Sequence, residues 1–242
     1  MSLRRDDALE KGEAEEINMQ TETVIISLGG SIIVPNEVDV PFLRRFKGIV
    51  DGLSLKQFII ICGGGKVCRN YQHAAIEIAD VTAADLDWIG IAATRLNAEL
   101  VRSVFGKEAH QKVIHDPEER IDSSKRVIVG AGFEPGSSTD LRAVQLAERF
   151  GAARVINMSN IDCVYGADPK KAPNAVRLPR ISWPDFRLLV GEKWDPGLHM
   201  PFDPIASKEA ARLGLEVIII GNDVANLERL LEGKAFEGTI IS

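Results

Sequence analysis

Two short runs constrain this chain more than any others: "FIIIC" at 58–62 and "EVIII" at 216–220. A strand with one wet face alternates apolar and polar residues. A continuous β-branched run is the pattern of a strand covered on both faces, as in a parallel sheet. Further strand candidates are Val24–Leu28, Lys112–Ile114, Arg126–Val129 and Arg154–Met158. Between them lie segments of helical period: "VPFLRRFKGIVDGL" after Asp39, "KVCRNYQHAAIEIA" after a glycine triplet, "IGIAATRLNAELVRSVFG", "TDLRAVQLAERFG", "SWPDFRLLVG" and "DPIASKEAARLG". Asp39 and Ser182 stand at N-cap positions, and Gly106, Gly151, Gly191 and Gly214 close helices. Strands alternating with helices of this length predict an α/β fold, a three-layer αβα sandwich around a largely parallel sheet.

The chain has 242 residues, 45% of them hydrophobic, enough for one large domain or two lobes. Residues 1–20 are polar and without period, and are expected to form a disordered tail. They carry six acids and three bases, so they supply −3 of the net charge of −6. The rest is only mildly acidic and has no block of positive charge, which argues against nucleic acid as a partner. No apolar run approaches the ~20 residues of a membrane span, and the charged N-terminus has no signal-peptide core. Cys62, Cys68 and Cys163 are odd in number and form no C-x-x-C pair. Reduced thiols in a cytoplasm are the expectation. His73, His110, His115 and His199 show no ligand spacing, so no protein metal site is expected. Trp88, Trp183 and Trp194 read as packing residues.

In folds of this class ligands bind beyond the carboxyl ends of the strands. The first strand runs into Gly29-Gly30-Ser31, and the second into Gly63-Gly64-Gly65-Lys66, which opens a helix. Bare N–H groups at a helix N-terminus suit a phosphate, with Lys66 and Arg69 in the first turns to complete the site. A tight turn without ligand fits the triplet equally well. The spacing is neither a Walker A loop nor G-x-G-x-x-G. The strand at 126–129 leads into "GAGFEPGSSTD", where Ser137, Ser138 and Thr139 start a helix and Asp140 lies in its first turn. Capping accounts for one or two of these residues, but not for the whole Gly-Pro loop. The strand at 154–158 leads into "SNIDCVYGADPKK", whose Asp162 and Asp168 also suit Asx turns.

Taken in order, G-G-S, "GGGK-x-x-R-x-Y", "D-x-I-G-I-x-x-T-R-x-N-A", "PG-x-x-TD", "N-x-D-x-V-Y-x-x-DPKK" and "DP-x-A-x-K-x-A-x-R-x-G" resemble the amino acid kinase family over residues 23–242, and within it the archaeal-type UMP kinases. The resemblance implies phosphoryl transfer from ATP to UMP with Mg²⁺, giving ADP and UDP. It also implies an acceptor-binding lobe at roughly 21–150, a nucleotide-binding lobe at 151–242, and a homo-oligomer, typically a hexamer. Carried over residue by residue, Gly63 and Gly64 meet the acceptor phosphate through N–H groups, with Arg69 as ionic partner. Asp87 takes the ribose, Ser138 and Thr139 hold the acceptor, and Asp140 orders their loop. Gly29, Gly30 and Ser31 approach the donor phosphates. Ser159, Asp162, Tyr165 and Asp168 line the adenosine site, with Lys170 nearby. Lys66, Asp140 and Lys208 are the candidate catalytic residues. The chain departs from the family pattern at four places, one of them "WDPGLHMPFDP" at 194–204, which is unlike the small-residue loop expected before the Asp-Pro. Ser27 stands where many members carry lysine, Cys163 stands where glycine is usual, and Glu134 puts a carboxylate into the acceptor loop. Glu134 leaves room for a same-fold kinase with another small acceptor. Ser27 leaves room for a non-catalytic nucleotide-binding protein of the molybdate-storage kind.

Overall fold

The computed structural model describes residues 22–167, 172, 174–191 and 200–242. The expected N-terminal tail, Asp168, Lys170, Trp194 and His199 lie outside them. The elements are β1 (Glu22–Leu28), α1 (Gly30–Ile33), α2 (Val40–Gly52), β2 (Lys56–Cys62), α3 (Gly65–Ile78), α4 (Ala83–Phe105), β3 (Val127–Gly130), α5 (Thr139–Arg149) and β4 (Arg154–Met158). They continue with β5 (Val164–Tyr165), β6 (Arg177–Leu178), β7 (Arg180–Ile181), α6 (Trp183–Val190), α7 (Pro204–Leu213), β8 (Glu216–Ile220), α8 (Val224–Leu231) and β9 (Thr239–Ile241).

The main sheet has seven strands in the order β3-β2-β1-β4-β8-β9-β7. From β3 to β8 every pairing is parallel, and β9 runs antiparallel to β8. The αβα reading therefore holds. The chain winds outward from β1 through β2 to β3. It then crosses back by α5 to lay β4 on the other side of β1. The carboxyl ends of β1 and β4 thus form the switch point of the sheet, where a crevice opens.

The continuous apolar runs now have their reason. In β1, Val24, Ile26 and Leu28 pack on one face against Phe42, Phe46 and Val50 of α2 and Val101 and Phe105 of α4. Ile25 points to the other face, with Val144 and Ala147 of α5 and Ala206 and Ala210 of α7. Both faces are dry, so alternation is absent. Full burial of each such side chain is worth about 1.5–3 kcal/mol. Phe46 meets Phe105 edge-on, at 6.4 Å between ring centroids, and joins α2 to α4.

Helix boundaries follow local chemistry. Asp39 caps α2 through Phe42 N–H, and Ser182 caps α6 through Asp185 N–H. α4 begins earlier than its apolar period suggests. Thr82 accepts from Asp85 N–H, and the Asp85 carboxylate accepts from Thr82 N–H, a reciprocal capping box. The expected strand at Lys112–Ile114 does not form. Only an isolated bridge joins Ile114 to Gly130, because the segment turns away at Asp116 and Pro117 cannot donate to a ladder. The one-turn α1 and the two- and three-residue strands β5, β6, β7 and β9 carry too little periodicity to read.

Gly48 sits in the exposed interior of α2, and a Cβ there would meet nothing within 4 Å. Gly48→Ala is expected to raise the unfolding free energy by about 0.5–1 kcal/mol. Urea denaturation reads this directly, and a lower midpoint would contradict it.

Candidate active site

The loops after β1 and β2 touch backbone to backbone. A Cβ on Gly30 would lie 2.1 Å from Gly65 N and 2.5 Å from Gly63 O. A Cβ on Gly65, whose φ is +65°, would lie 2.1 Å from Gly30 O. No other residue type allows that approach. Gly29 N–H donates to Met158 O at 2.8 Å and ties the first loop to β4. Gly63 N–H donates to Leu28 O at 2.9 Å and Lys66 N–H to Val34 O at 3.0 Å. The fold thus already uses the N–H of Gly63, whereas Gly64 and Gly65 open α3, where N–H groups have no acceptor inside the helix. Lys66 is half-buried and Arg69 exposed on the first turns of α3. Among the described residues neither is engaged in an ion pair.

One face of α4 frames both this loop and the next. Buried Asn97 donates from Nδ2 to Gly63 O at 2.7 Å and Gly64 O at 3.1 Å. Thr94 Oγ1 accepts from Gly132 N–H at 2.9 Å and donates to Ile91 O at 2.7 Å. Arg95 reaches the carbonyls of Gly132 and Phe133. Asp87 Oδ2 accepts from Gly136 N–H at 2.8 Å, at a left-handed glycine with φ +78°. Asp87, expected to take a ribose, therefore lies against the acceptor loop and already holds it with one oxygen. Glu134 turns to Arg142, at 3.2 Å. Ser138 caps α5 by accepting from Leu141 N–H at 3.1 Å, and Thr139 follows it at the first helical position.

The switch point is closed by one carboxylate. Asp140 Oδ1 accepts from Ser27 Oγ at 2.8 Å and from Asn157 Nδ2 at 2.9 Å. Its Oδ2 accepts from Asp203 N–H at 3.2 Å. Asp203 in turn caps α7 through Ala206 N–H at 2.7 Å. Loss of hydration pushes the Asp140 carboxyl up to about 6. The Asp203 carboxylate pushes the same way, against the hydrogen bonds from Ser27 and Asp203 N–H. Burial raises Asp203 as well, and its Oδ2 is buried without a hydrogen-bond partner among the described residues. Asn157 and Asp203 were not singled out by the sequence. The available signal was a polar residue one place before the end of an apolar strand, as at Ser27, and an Asp-Pro at a helix start.

The loop after β4 is bound to both sides. Ser159 N–H donates to Ile220 O, and its Oγ accepts from Ile161 N–H at 3.1 Å. Ser31 Oγ donates to Asn160 Oδ1 at 3.4 Å. Asp162 pairs with Arg177 at 2.9 Å and accepts from Tyr165 OH at 3.3 Å. Arg177 Nε also donates to Cys163 Sγ at 3.1 Å, so the cysteine in the glycine place anchors this turn. Lys208 is exposed on α7 and lines an open groove with Leu141, Gln145, Ile205 and Arg212. It is not in the Asp140 cluster. All three cysteines are free. Among the described residues no three His, Cys, Asp or Glu side chains converge as a metal cage, and no helix is long and apolar enough to cross a membrane.

The profile of the amino acid kinase family matches residues 22–221. The chain is 32% identical over 225 residues to the uridylate kinase of Methanospirillum hungatei, with 91% of this chain and 94% of that one covered. It is 34% identical over 223 residues to the uridylate kinase of Pyrococcus abyssi, covering 90% and 98%. The crystal structure of uridylate kinase from Archaeoglobus fulgidus matches with a TM-score of 0.77 at 34% identity, covering 91% of this chain and 100% of that one. The UMP kinase of Bacillus anthracis, at 20% identity and a TM-score of 0.71, shares the fold.

The raised Asp140 carboxyl gives a signed pH dependence. Between its ordinary value of 3.8 and about 6 the folded chain holds a proton that the unfolded chain releases. The stability this group contributes is therefore present at low pH and lost as pH rises through about 6. From about pH 5 to about pH 8, wild type should lose about 1 kcal/mol more than Asp140→Asn in urea denaturation. Parallel profiles would show that the carboxyl is not held in this way.

Proposed function

The chain belongs to the amino acid kinase family, and on that premise we propose that it transfers the γ-phosphoryl group of ATP to UMP, giving ADP and UDP. The observation that carries the reading is the contact of Gly30 with Gly63 and Gly65. Phosphoryl transfer requires two anionic groups held in line at short range, with their charge neutralised, and little covalent chemistry from the protein. Two glycine loops touching through their backbones, each at the end of a central strand, meet the first need. An oxygen of the UMP phosphate, already deprotonated near neutral pH, forms the new bond to Pγ. The bond from Pγ to the β-phosphate oxygen breaks, and ADP leaves with the electron pair. No general base is needed.

In this reading the lobe at roughly 21–150 takes the acceptor. Gly64 and the α3 N-terminus receive its phosphate, with Lys66 and Arg69 as cations. Asp87, Ser138 and Thr139 hold its nucleoside side. Gly29, Gly30 and Ser31 face the donor phosphates. The lobe at 151–242 takes ATP through Ser159, Asp162 and Tyr165, with Asp168, Lys170 and Lys208 as further candidates. Asp140 acts as a positioning residue, since its carboxylate is occupied by Ser27, Asn157 and Asp203 N–H. Glu134 is paired with Arg142, which supports a phosphorylated acceptor. Mg²⁺ would enter as the complex with ATP, whose phosphates are its ligands. The cytoplasm is the compartment that fits free thiols and these substrates.

We also propose a homo-oligomer built through α3 and α4. In α3 only Gly65 is fully buried, while Tyr71, Ile76 and Ile78 are exposed, beside exposed Trp88 and Leu96 of α4. Apolar side chains left exposed on so thinly packed a helix suit a second copy.

Purified protein with ATP and Mg²⁺ should form ADP with UMP and much less with CMP, carbamate, N-acetylglutamate or isopentenyl phosphate. Turnover with none of them would remove the kinase reading. Arg69→Ala should raise KM for UMP about tenfold or more, the loss of a charge-assisted bond, and leave KM for ATP nearly unchanged. Equal effects on both would reassign Arg69. Tyr71→Glu combined with Leu96→Glu should lower the mass measured by light scattering. An unchanged mass excludes this face as the interface.

A further inference from the structure

Behind the acceptor loop lies a buried cation for which the proposed chemistry has no use. Arg142, two residues after Asp140 on α5, has a side chain only 5% exposed. Its guanidinium donates to Gln145 Oε1 at 2.6 Å and to Glu134 Oε1 at 3.2 Å, and lies 4.9 Å from the centre of the Phe133 ring. Its Nε is buried without a hydrogen-bond partner among the described residues. A buried arginine left short of one hydrogen bond is poor stabilisation, and an apolar residue of similar size would serve the core as well or better. Apart from Gln145, one turn on along α5, its contacts concern one place. Glu134 and Phe133 are consecutive residues of the acceptor loop, two and three positions before Gly136, which Asp87 holds from the other side. Without Arg142, the half-exposed carboxylate of Glu134 would add to those of Asp87 and Asp140 around a site meant for a phosphate.

We infer that Arg142 is a positioning and charge-neutralising residue of the acceptor loop: it turns Glu134 away from the acceptor phosphate and seats Phe133, so that the loop takes an anionic acceptor despite its own carboxylate. The inference rests on the reading that this loop takes UMP. Like charge facing the ligand costs affinity, so the effect falls on the acceptor and not on the donor.

The test is a double-mutant cycle at positions 134 and 142, with steady-state kinetics and thermal melting on each protein. Arg142→Met should raise KM for UMP about tenfold or more and change KM for ATP less than about twofold. Adding Glu134→Gln should restore most of the loss, because the unneutralised carboxylate is gone. Arg142→Gln, which keeps hydrogen bonding and removes the charge, repeats the experiment if the methionine variant does not fold. Arg142→Lys, charged but without the fork, should fall between. Equal changes in both KM values, or no rescue by Glu134→Gln, would overturn the inference and leave Arg142 a structural residue. A wild-type protein that turns over other acceptors but not UMP would instead defeat the UMP reading on which it rests.

Discussion

The architecture of the site hangs on the carboxylate of Asp140. Through its two oxygens it gathers β1 by Ser27, β4 by Asn157 and the start of α7 by Asp203 N–H, while it sits itself in the first turn of α5. These are the elements that meet where the winding of the sheet reverses. A parallel sheet opens there because neighbouring connections leave on opposite faces. Something polar must span the gap, since the chain cannot close it with apolar packing and still leave room for a ligand. A carboxylate with three donors aimed at it does so, and its reluctance to ionise reflects the hydration it has given up.

α4 is the second frame. Asp87, Thr94, Arg95 and Asn97 together bond the acceptor loop and the glycine loop. Thr94, Arg95 and Asn97 fall within one turn, and Asp87 two turns earlier in line with Thr94, so a single helix bonds both loops. The block "D-x-I-G-I-x-x-T-R-x-N-A" thereby gains a physical meaning that its spacing alone did not supply.

Much of the fold was legible because both faces of the sheet are dry, which turns β2 and β8 into uninterrupted apolar runs, and because Asp39, Ser138 and Ser182 are good caps. The glycine loops were legible as places of close approach, although their partner is first each other's backbone. What was not legible depends on distant meetings. Ser27 and Asp140 are 113 positions apart. Ser27 drew notice for the lysine it replaces, and only the arrival of Asp140 and Asn157 shows its positive role. Asn97, Asp203 and Arg142 look like ordinary polar residues of amphipathic helices until the loop each one holds is known. The two-residue strands, and the failed strand at Lys112–Ile114, lie below the length at which periodicity carries information.

The meeting of Gly30 with Gly63 and Gly65 has a consequence for motion. Two loops in van der Waals contact through main-chain atoms cannot come closer, and the bonds from Gly29 to Met158 and from Gly63 to Leu28 tie each to a strand end. In the proposed reaction the separation between donor and acceptor phosphates is then set by atomic radii, not by side chains that fluctuate between rotamers. On that reading the gap would work as a fixed gauge.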